Sequence, residues 1–475
     1  MPHQGHGRSV IGRFHWEYLW QALQWLFTDV DFAKLAFRKD CTYTPRSLLA
    51  TVLLWMWHDE NSLVQRYRVV GKITSRLPGV QGEVAKSYQA FTKLWNRWSG
   101  RLLEAFKSGR RRRIERRFPN ALRLGLWFVL MFDGSRFDVP RTASNEDTFA
   151  PRSKLAKKAR GKKARRAQRK QRRRRRTAQA ARERKAHGPQ IGVTTLLHAA
   201  TGLVWVWSSG PSDASEREHL TTMATRMSLP KNTLLVADAG FHGYELWTTL
   251  RNQQCQRLIR VAGNVRLRRG LGYSRRRGDF VYCWPDKFAK KHRPPIVLRC
   301  IVLRGPRCPV HLVTSVLDDR QLDDGLAADL YRRRWGIERF YRHCKQTFDS
   351  HKLKSRRAEH AQWELDWTLA GVWAMAAYAL HHLHRRGIDP NRVRFANVVR
   401  AFRRAIDAFA TQPDLGDDLL SSIAAAIIDP YYRQHKSSRD YPRKKYEPPT
   451  SPTSPPVVVQ ATKTQIQQAK SLLAA

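Results

Sequence analysis

Leu126-Trp-Phe-Val-Leu-Met-Phe132 is an unbroken run of seven apolar side chains, and it stops at a carboxylate, Asp133. Successive side chains of a strand point to opposite faces, so a run without alternation predicts a strand buried on both sides. Such a strand belongs inside a sheet with layers over both faces. Asp133 is then expected at its C-terminal end.

The following residues supply the rest of that sheet. Ile191–Ala199 and Leu203–Trp207 are apolar runs joined at Ala200-Thr-Gly202, which predicts a hairpin. Ser215 to Met227 reads as a helix opened by a capping box, Ser215 with Glu218. Thr233–Ala237 is a short strand ending at Asp238, Tyr244–Asn252 a helix, and Arg257–Val261 a fifth strand. The order β, β, β, α, β, α, β predicts an α/β fold in which parallel βα units join an antiparallel hairpin. Residues 262–317 are punctuated by Gly270, Gly272, Gly278, Pro285, Pro294, Pro295, Gly305 and Pro306 and read as a β-rich insertion. Helix resumes near Asp324 and is expected to run past Lys345, with further helices over 361–385 and 391–409. Asp138, Asp318, Asp319, Asp323 and Asp324 read as turn and N-cap residues. Gly270-Leu-Gly272 lacks the third glycine and the strand–helix setting of a nucleotide loop, and reads as a turn.

Both flanks differ in texture. Residues 10–107 place Trp, Leu and Phe at helical spacing, as in Trp16, Leu19, Trp20, Leu23 and Leu26, or Phe91, Trp95 and Trp98. A basic run, Arg110, Arg111, Arg112 and Arg113 with Arg116 and Arg117, follows, and Pro119 ends the helix. After Tyr431 the chain is rich in Pro, Lys and Ser and reads as an extended tail. The expected division is a helical N-terminal region (1–120), the first part of an α/β core (121–261), the insertion (262–317), the rest of the core (318–385), C-terminal helices (386–435) and a Pro-rich tail (436–475).

Charge narrows the partner. The 475 residues hold 88 Lys+Arg against 39 Asp+Glu, a net +49. Nucleic acid is the leading compensating partner and an acidic membrane surface the second. Residues 152–185 alone hold 19 Lys/Arg and one Glu, an arm suited to sequence-neutral phosphate contact. The remaining excess is spread over the folded body. Six scattered Cys with no CxxC pair exclude a disulfide framework, and Cys300, Cys308 and His311 fit no common zinc spacing. The first twenty residues lack an apolar leader core. The most apolar stretch, Trp367 to Leu380, is too short to span a bilayer. A soluble, cytoplasmic protein is expected.

Three acids stand out. Asp133 and Asp238 each follow a core strand, and ligands of open α/β sheets bind beyond the carboxyl ends of strands. If those strands are neighbours, the carboxylates converge and need a cation between them, for which Mg²⁺ or Mn²⁺ is suited. Taken alone, each could be an ordinary turn residue. In the segment 331–345, Tyr331, Arg334, Glu338 and Lys345 fall within an arc of about 60° on one face of an ideal helix. One acid between two cations and a tyrosine is a face for metal and phosphate, although a solvated helix with i,i+4 ion pairs also explains it.

The spacing Y-x2-R-x3-E-x6-K resembles the YREK signature of bacterial insertion-sequence DDE transposases. Two more blocks resemble that family, in order: Asp133-Gly-Ser-Arg-Phe-Asp-Val-Pro140 and Asp238-Ala-Gly-Phe-His-Gly-Tyr-Glu-Leu246. Ala239 departs from the family, where relatives often carry Arg. The resemblance spans about 125–375. It implies an RNase H-like mixed sheet carrying the β-rich insertion, with Asp133, Asp238 and Glu338 catalytic and holding two Mg²⁺ (or Mn²⁺) ions. It also implies cleavage of double-stranded DNA at terminal inverted repeats, joining of the 3′-OH ends to target DNA, and a homodimer in the synaptic complex of a bacterial, nucleoid-associated protein. Tyr331, Arg334 and Lys345 would hold DNA-end phosphates. Trp284, in the insertion, would stack on a flipped base or else be a core residue, and Arg110 to Arg113 would help the N-terminal helices recognise the repeats or else form the solvated basic edge of a helical packing domain. A non-catalytic relative and an RNase H-fold nuclease remain alternatives.

Overall fold

The computed structural model describes residues 17–38, 40–77, 84, 87–150, 188–271, 279–304, 309–411, 418–427 and 454–474. The basic arm 152–185, Cys308 and most of the Pro-rich tail lie outside these residues. In chain order come α1 (Glu17–Phe27), α2 (Pro45–Trp57), α3 (Leu63–Arg76) and α4 (Tyr88–Arg117), then β1 (Phe128–Asp138), α5 (Ala143–Phe149), β2 (Gln190–His198) and β3 (Val204–Pro211). Next are α6 (Glu216–Arg226), β4 (Thr233–Ala237), α7 (Tyr244–Asn252) and β5 (Gln256–Val261). The insertion follows as β6 (Arg266–Arg269), β7 (Asp279–Cys283), α8 (Asp286–Ala289), β8 (Ile296–Leu303) and β9 (Val310–Thr314). The chain closes with α9 (Asp324–Arg333), α10 (Trp335–Arg342), α11 (Ala358–His384), α12 (Phe395–Thr411), α13 (Leu419–Ala424), β10 (Val457–Gln460) and α14 (Lys463–Ala474).

These elements form two compact units, residues 1–117 with 343–428, and 118–342 with 429–475. The second unit is built on one ten-stranded sheet of order β10-β6-β7-β8-β9-β5-β4-β1-β2-β3. β1 runs antiparallel to β2 and parallel to β4, and β4 runs parallel to β5. The order β3-β2-β1-β4-β5 with this polarity is that of an RNase H-like α/β core. Phe128 to Phe132 and all of β4 are buried, as unbroken apolar runs require. Leu126, at the head of the apolar run, lies outside the strand and is exposed.

Local signals that specify this unit are legible residue by residue. Ser215 caps α6 by accepting from the Glu218 N–H, and Asp323 caps α9 by accepting from the Leu326 N–H. Gly202 turns the β2–β3 hairpin at φ 68°, a conformation glycine adopts without strain. His198, buried at the end of β2, hydrogen-bonds the Leu122 carbonyl through Nε2 at 2.9 Å and Thr201 through Nδ1 at 2.9 Å.

Three expectations are corrected, those for the end of β1, for the tail and for residues 343–385. β1 does not stop at Asp133 but continues to Asp138, because β2 pairs with it over that whole length. The insertion, read as β-rich, holds β6 to β9, which extend the same sheet through antiparallel pairing of β9 with β5. The described end of the tail is not extended chain, since β10 pairs in parallel with β6 and α14 follows it. Residues 343–385, read above with the catalytic core, cluster with the N-terminal helices. The reason is α11, which is buried along most of its length from Glu364 onward and packs on α2 and α4. There the Trp57 indole donates to the Gly371 carbonyl at 3.1 Å, and Trp367 donates to Ser99 at 3.1 Å.

α4 crosses the segment after α1 so closely that a Cβ on Gly109 would lie 2.5 Å from the Asp29 carbonyl oxygen. Gly109→Ala is expected to destabilise the protein by about 1–3 kcal/mol, the usual cost of an overpacked contact, despite the better helix propensity of alanine. Urea unfolding of the variant against wild type checks this, and an unchanged midpoint would contradict the crossing.

Candidate active site

The parallel register of β1 and β4 positions two of the acids. Phe132 pairs with Ala237, so Asp133 and Asp238 are each the next residue along neighbouring strands. Beyond Ala237 β4 ends, and that edge of β1 opens into a notch of the kind where open α/β sheets bind ligands. Asp133 Oδ1 accepts the Gly134 N–H at 2.8 Å, and Asp238 Oδ1 accepts the Ala239 N–H at 2.7 Å.

Glu338 arrives from α10. Three residues on, the buried Tyr341 hydroxyl donates to the Asp133 carbonyl and accepts from Thr195 Oγ1, each at 3.0 Å. Gly336 permits close approach on the same helix, since a Cβ there would lie 3.2 Å from the Met131 methyl. These contacts fasten α10 to β1 and bring Glu338 to the notch.

Arg334 occupies the centre. Its side chain is only 6% exposed, with Nη1 3.1 Å from Glu338 Oε1 and Nη2 3.8 Å from Asp238 Oδ2. Burial works against its charge, but Asp238, Tyr331, Glu338 and Asp133 together raise its pKa above the ordinary arginine value. Arg260 approaches Asp238 Oδ1 at 3.8 Å, and Tyr331 donates its hydroxyl to the same oxygen at 3.2 Å. Burial, then Asp238, push the Tyr331 phenol up to about 12, so it stays protonated and suits a hydrogen-bond donor rather than a nucleophile. Asp133 is pushed up to about 6 by burial, with Glu216 and Glu338 adding to the rise and the Gly134 N–H and Arg334 opposing it.

The structure thus brings together Asp133, Asp238, Glu338, Tyr331 and Arg334. Lys345 is placed differently. The single helix expected over 331–345 is broken, because the Arg334 N–H bonds the Tyr331 carbonyl in a tighter turn and His343–Thr347 forms a π-helical turn. Lys345 lies in that turn, in the helical unit, so the 60° arc of an ideal helix does not describe it. Trp284 is corrected to a core residue: it is 2% exposed and its indole N–H donates to the Arg293 carbonyl at 2.8 Å. A base could stack on it only if the insertion came apart.

Arg110 is likewise a packing residue, 3% exposed, with its guanidinium 3.6 Å from the Trp373 ring centre and a hydrogen bond to the Ala370 carbonyl. Arg113 pairs with Asp29 at 3.7 Å and lies over Trp25, and Arg112, which is exposed, donates to the Asp29 carbonyl. Arg111 is half-buried. Sequence reading also missed residues of the site. Trp335, next to Arg334, is 59% exposed, an unusual position for so large an apolar side chain. Tyr341 stands three residues after Glu338 on one helix face, a spacing that signals a shared role only once the helix is located.

Three carboxylates offer hard oxygen donors, the set that suits a divalent cation such as Mg²⁺ or Mn²⁺. Among the described residues no three acidic, His or Cys side chains close on one point as metal ligands. Arg334 stands between Asp238 and Glu338 instead. The donors fit such an ion provided the two acids turn from Arg334 toward it.

An RNase H-like α/β domain with acids at its notch is the class these features define. A family model described as "Transposase DDE domain" matches residues 129–370, and the chain belongs to that family. It is similar to the transposase InsG for insertion sequence element IS4 of Escherichia coli (strain K12), with 26% identity over 304 residues. That match covers 58% of this chain and 65% of the relative, just under two thirds of its length. Among solved structures, a piggyBac transposase synaptic complex with hairpin DNA overlaps 93% of this chain and 91% of its own, at 10% identity and a TM-score of 0.37, too loose to define a shared fold. Among the described residues no helix is long and apolar enough to cross a membrane.

The raised pKa of Asp133 has a consequence for stability without metal. The folded form holds this proton more tightly than the unfolded chain. The ionised carboxylate therefore costs stability fully above about pH 6, and the cost vanishes below the ordinary value of 3.8. Asp133→Asn is expected to stabilise the protein in EDTA at pH 7.5 by up to about 3 kcal/mol and to have no such effect at pH 3.5. Urea midpoints at the two pH values check this, and equal effects at both would contradict it.

Proposed function

We propose that this protein is a DNA transposase of the cut-and-paste type, acting at the terminal inverted repeats of an insertion sequence. The observation that carries the reading is the placement of Asp133 on β1 and of Asp238 directly after the adjacent parallel strand β4, with Glu338 tied to the same arginine as Asp238. Membership of the DDE transposase family, whose enzymes work with divalent cations, supports it. Asp133, Asp238 and Glu338 would hold two such cations, Mg²⁺ or Mn²⁺, which when bound activate an attacking oxygen and stabilise a leaving one.

The chain's own residues do the rest. Once Asp238 and Glu338 turn away, Arg334 is a rigid, always charged fork freed at the notch, where it pairs with a phosphate of the DNA end. Tyr331 keeps its proton and donates a hydrogen bond to the same backbone. Trp335 offers an exposed ring to an unstacked base, the role the sequence suggested for Trp284. Lys345, in the helical unit, is a further candidate phosphate contact. The helical unit, with Arg111 and Arg112, is the choice for repeat recognition, and residues 152–185 for sequence-neutral phosphate contact. Pairing of two ends by a homodimer and a cytoplasmic, nucleoid-associated location belong to the same reading.

The test uses the full chain, Mg²⁺ and labelled DNA carrying the inverted repeats that flank its gene. Expected are strand cleavage at the repeat ends and joined products, both abolished by EDTA. Glu338→Gln should bind the DNA as wild type but lose both reactions by about a hundredfold or more. Cleavage without joining would favour a nuclease, and binding alone a non-catalytic relative. Arg110→Met should leave DNA affinity and its salt dependence unchanged, whereas removing Arg111 and Arg112 together should weaken binding and flatten the salt slope by about two. Titrations between 50 and 200 mM salt separate the two.

A further inference from the structure

Glu216 lies in the first turn of α6, directly after the capping Ser215. Its carboxylate is pressed against Gly134, where a Cβ would overlap the Glu216 carboxylate itself. The residue after Asp133 must therefore lack a side chain for Glu216 to reach this place. Side chains alternate along β1, so Asp133 shares a face with Met131, which Gly336 of α10 approaches, while the Gly134 position shares the other face with Phe132, packed on Phe241 of the segment before α7. Glu338 and Glu216 thus come to Asp133 from opposite faces of the sheet.

Neither acid on the Asp133 side forms an ion pair among the described residues, although the Arg334 charge reaches Asp133. Glu216 makes no hydrogen bond or ion pair among the described residues. The Asp133 carboxylate accepts only the Gly134 N–H among them. Arg217, next in the helix, is turned to the Gly240 carbonyl, and His219, one turn on, pairs with Thr194. Arg334 is engaged with Asp238 and Glu338. In a chain with net charge +49, Glu216 packed against Gly134 and Asp133 one residue earlier are half-buried acids near one another with no ion pair to either, an arrangement that an added cation relieves.

We propose that Glu216 is a fourth carboxylate of the active site, holding the divalent cation on the Asp133 side. The inference rests on the reading that Asp133, Asp238 and Glu338 bind metal, and the experiment separates the two. Mn²⁺ binding to the full-length protein without DNA is measured by loss of the free-ion EPR signal. Glu216→Gln is expected to weaken binding about tenfold or more and to raise by a similar factor the Mg²⁺ concentration giving half-maximal cleavage. Gly134→Ala should do the same with Glu216 intact, because the methyl displaces its carboxylate, whereas Glu218→Gln on the exposed face of α6 should match wild type.

Thermal melting in EDTA verifies that each variant folds. Should Glu216→Gln not fold, Glu216→Asp, one methylene shorter, carries the same comparison. Wild-type Mn²⁺ binding in the Glu216 variant, with binding lost in Asp133→Asn, overturns the role of Glu216 and leaves the three-carboxylate reading standing. Wild-type binding in Asp133→Asn, Asp238→Asn and Glu338→Gln alike overturns the underlying reading, and this inference with it.

Discussion

The parallel pairing of β1 with β4 is the constraint on which the site depends. Five residue pairs, Phe128 with Thr233 through Phe132 with Ala237, fix where each strand delivers its carboxylate. A slip of one residue would turn every side chain of β4 to the other face and move Asp238 away from Asp133. The apolar runs prevent that slip, since each strand is buried along its paired length. The core and the chemistry are set by one register. The Tyr341 hydroxyl extends the control to a third element, because it ties α10 to the carbonyl of Asp133 itself.

Arg334 gives the notch a dual character. A buried arginine among three acids and a tyrosine offsets charges that would otherwise repel one another, and the low exposure makes each contact stronger than it would be in water. The same residue is the natural partner of a phosphate. In the proposed reading, metal and arginine compete for two of the same carboxylates, so an ion entering the notch would also liberate a cation for the nucleic acid. On that reading, ion binding and DNA-end binding would be coupled in sign, each favouring the other.

Much of this was readable in advance, and the residues show why. Unbroken apolar runs give strands, Ser215 and Asp323 give helix starts, and carboxylates directly after two such runs give the notch. These are local patterns with a direct physical cause. What stayed hidden depends on tertiary placement. A tryptophan such as Trp284 and an exposed one such as Trp335 look alike in a chain with 16 of them. Arg110 belongs to a basic run by sequence and to a core by contact, since Trp373, far along the chain, supplies its ring. Glu216 reads as an ordinary first-turn acid because nothing local reveals Gly134 across the helix–sheet interface. The break at Arg334 and the π turn at Lys345 have no marker in the spacing, which assumes an ideal helix.

The edge strand β10 carries a consequence for how the molecule is made. Val457 to Gln460 pair with Arg266 to Arg269, so the margin of the sheet at β6 is covered by a segment that leaves the ribosome long after β6 itself. Until then β6 presents unpaired amides and carbonyls, an invitation to a neighbouring nascent chain. The arginines of β6 carry like charge along that margin, and repulsion between two such edges protects the interval. Once β10 docks, the outer boundary passes to Val457, Val458 and Val459, which are exposed and uncharged. The order of synthesis therefore exchanges an electrostatic guard during translation for a stickier rim in the finished protein.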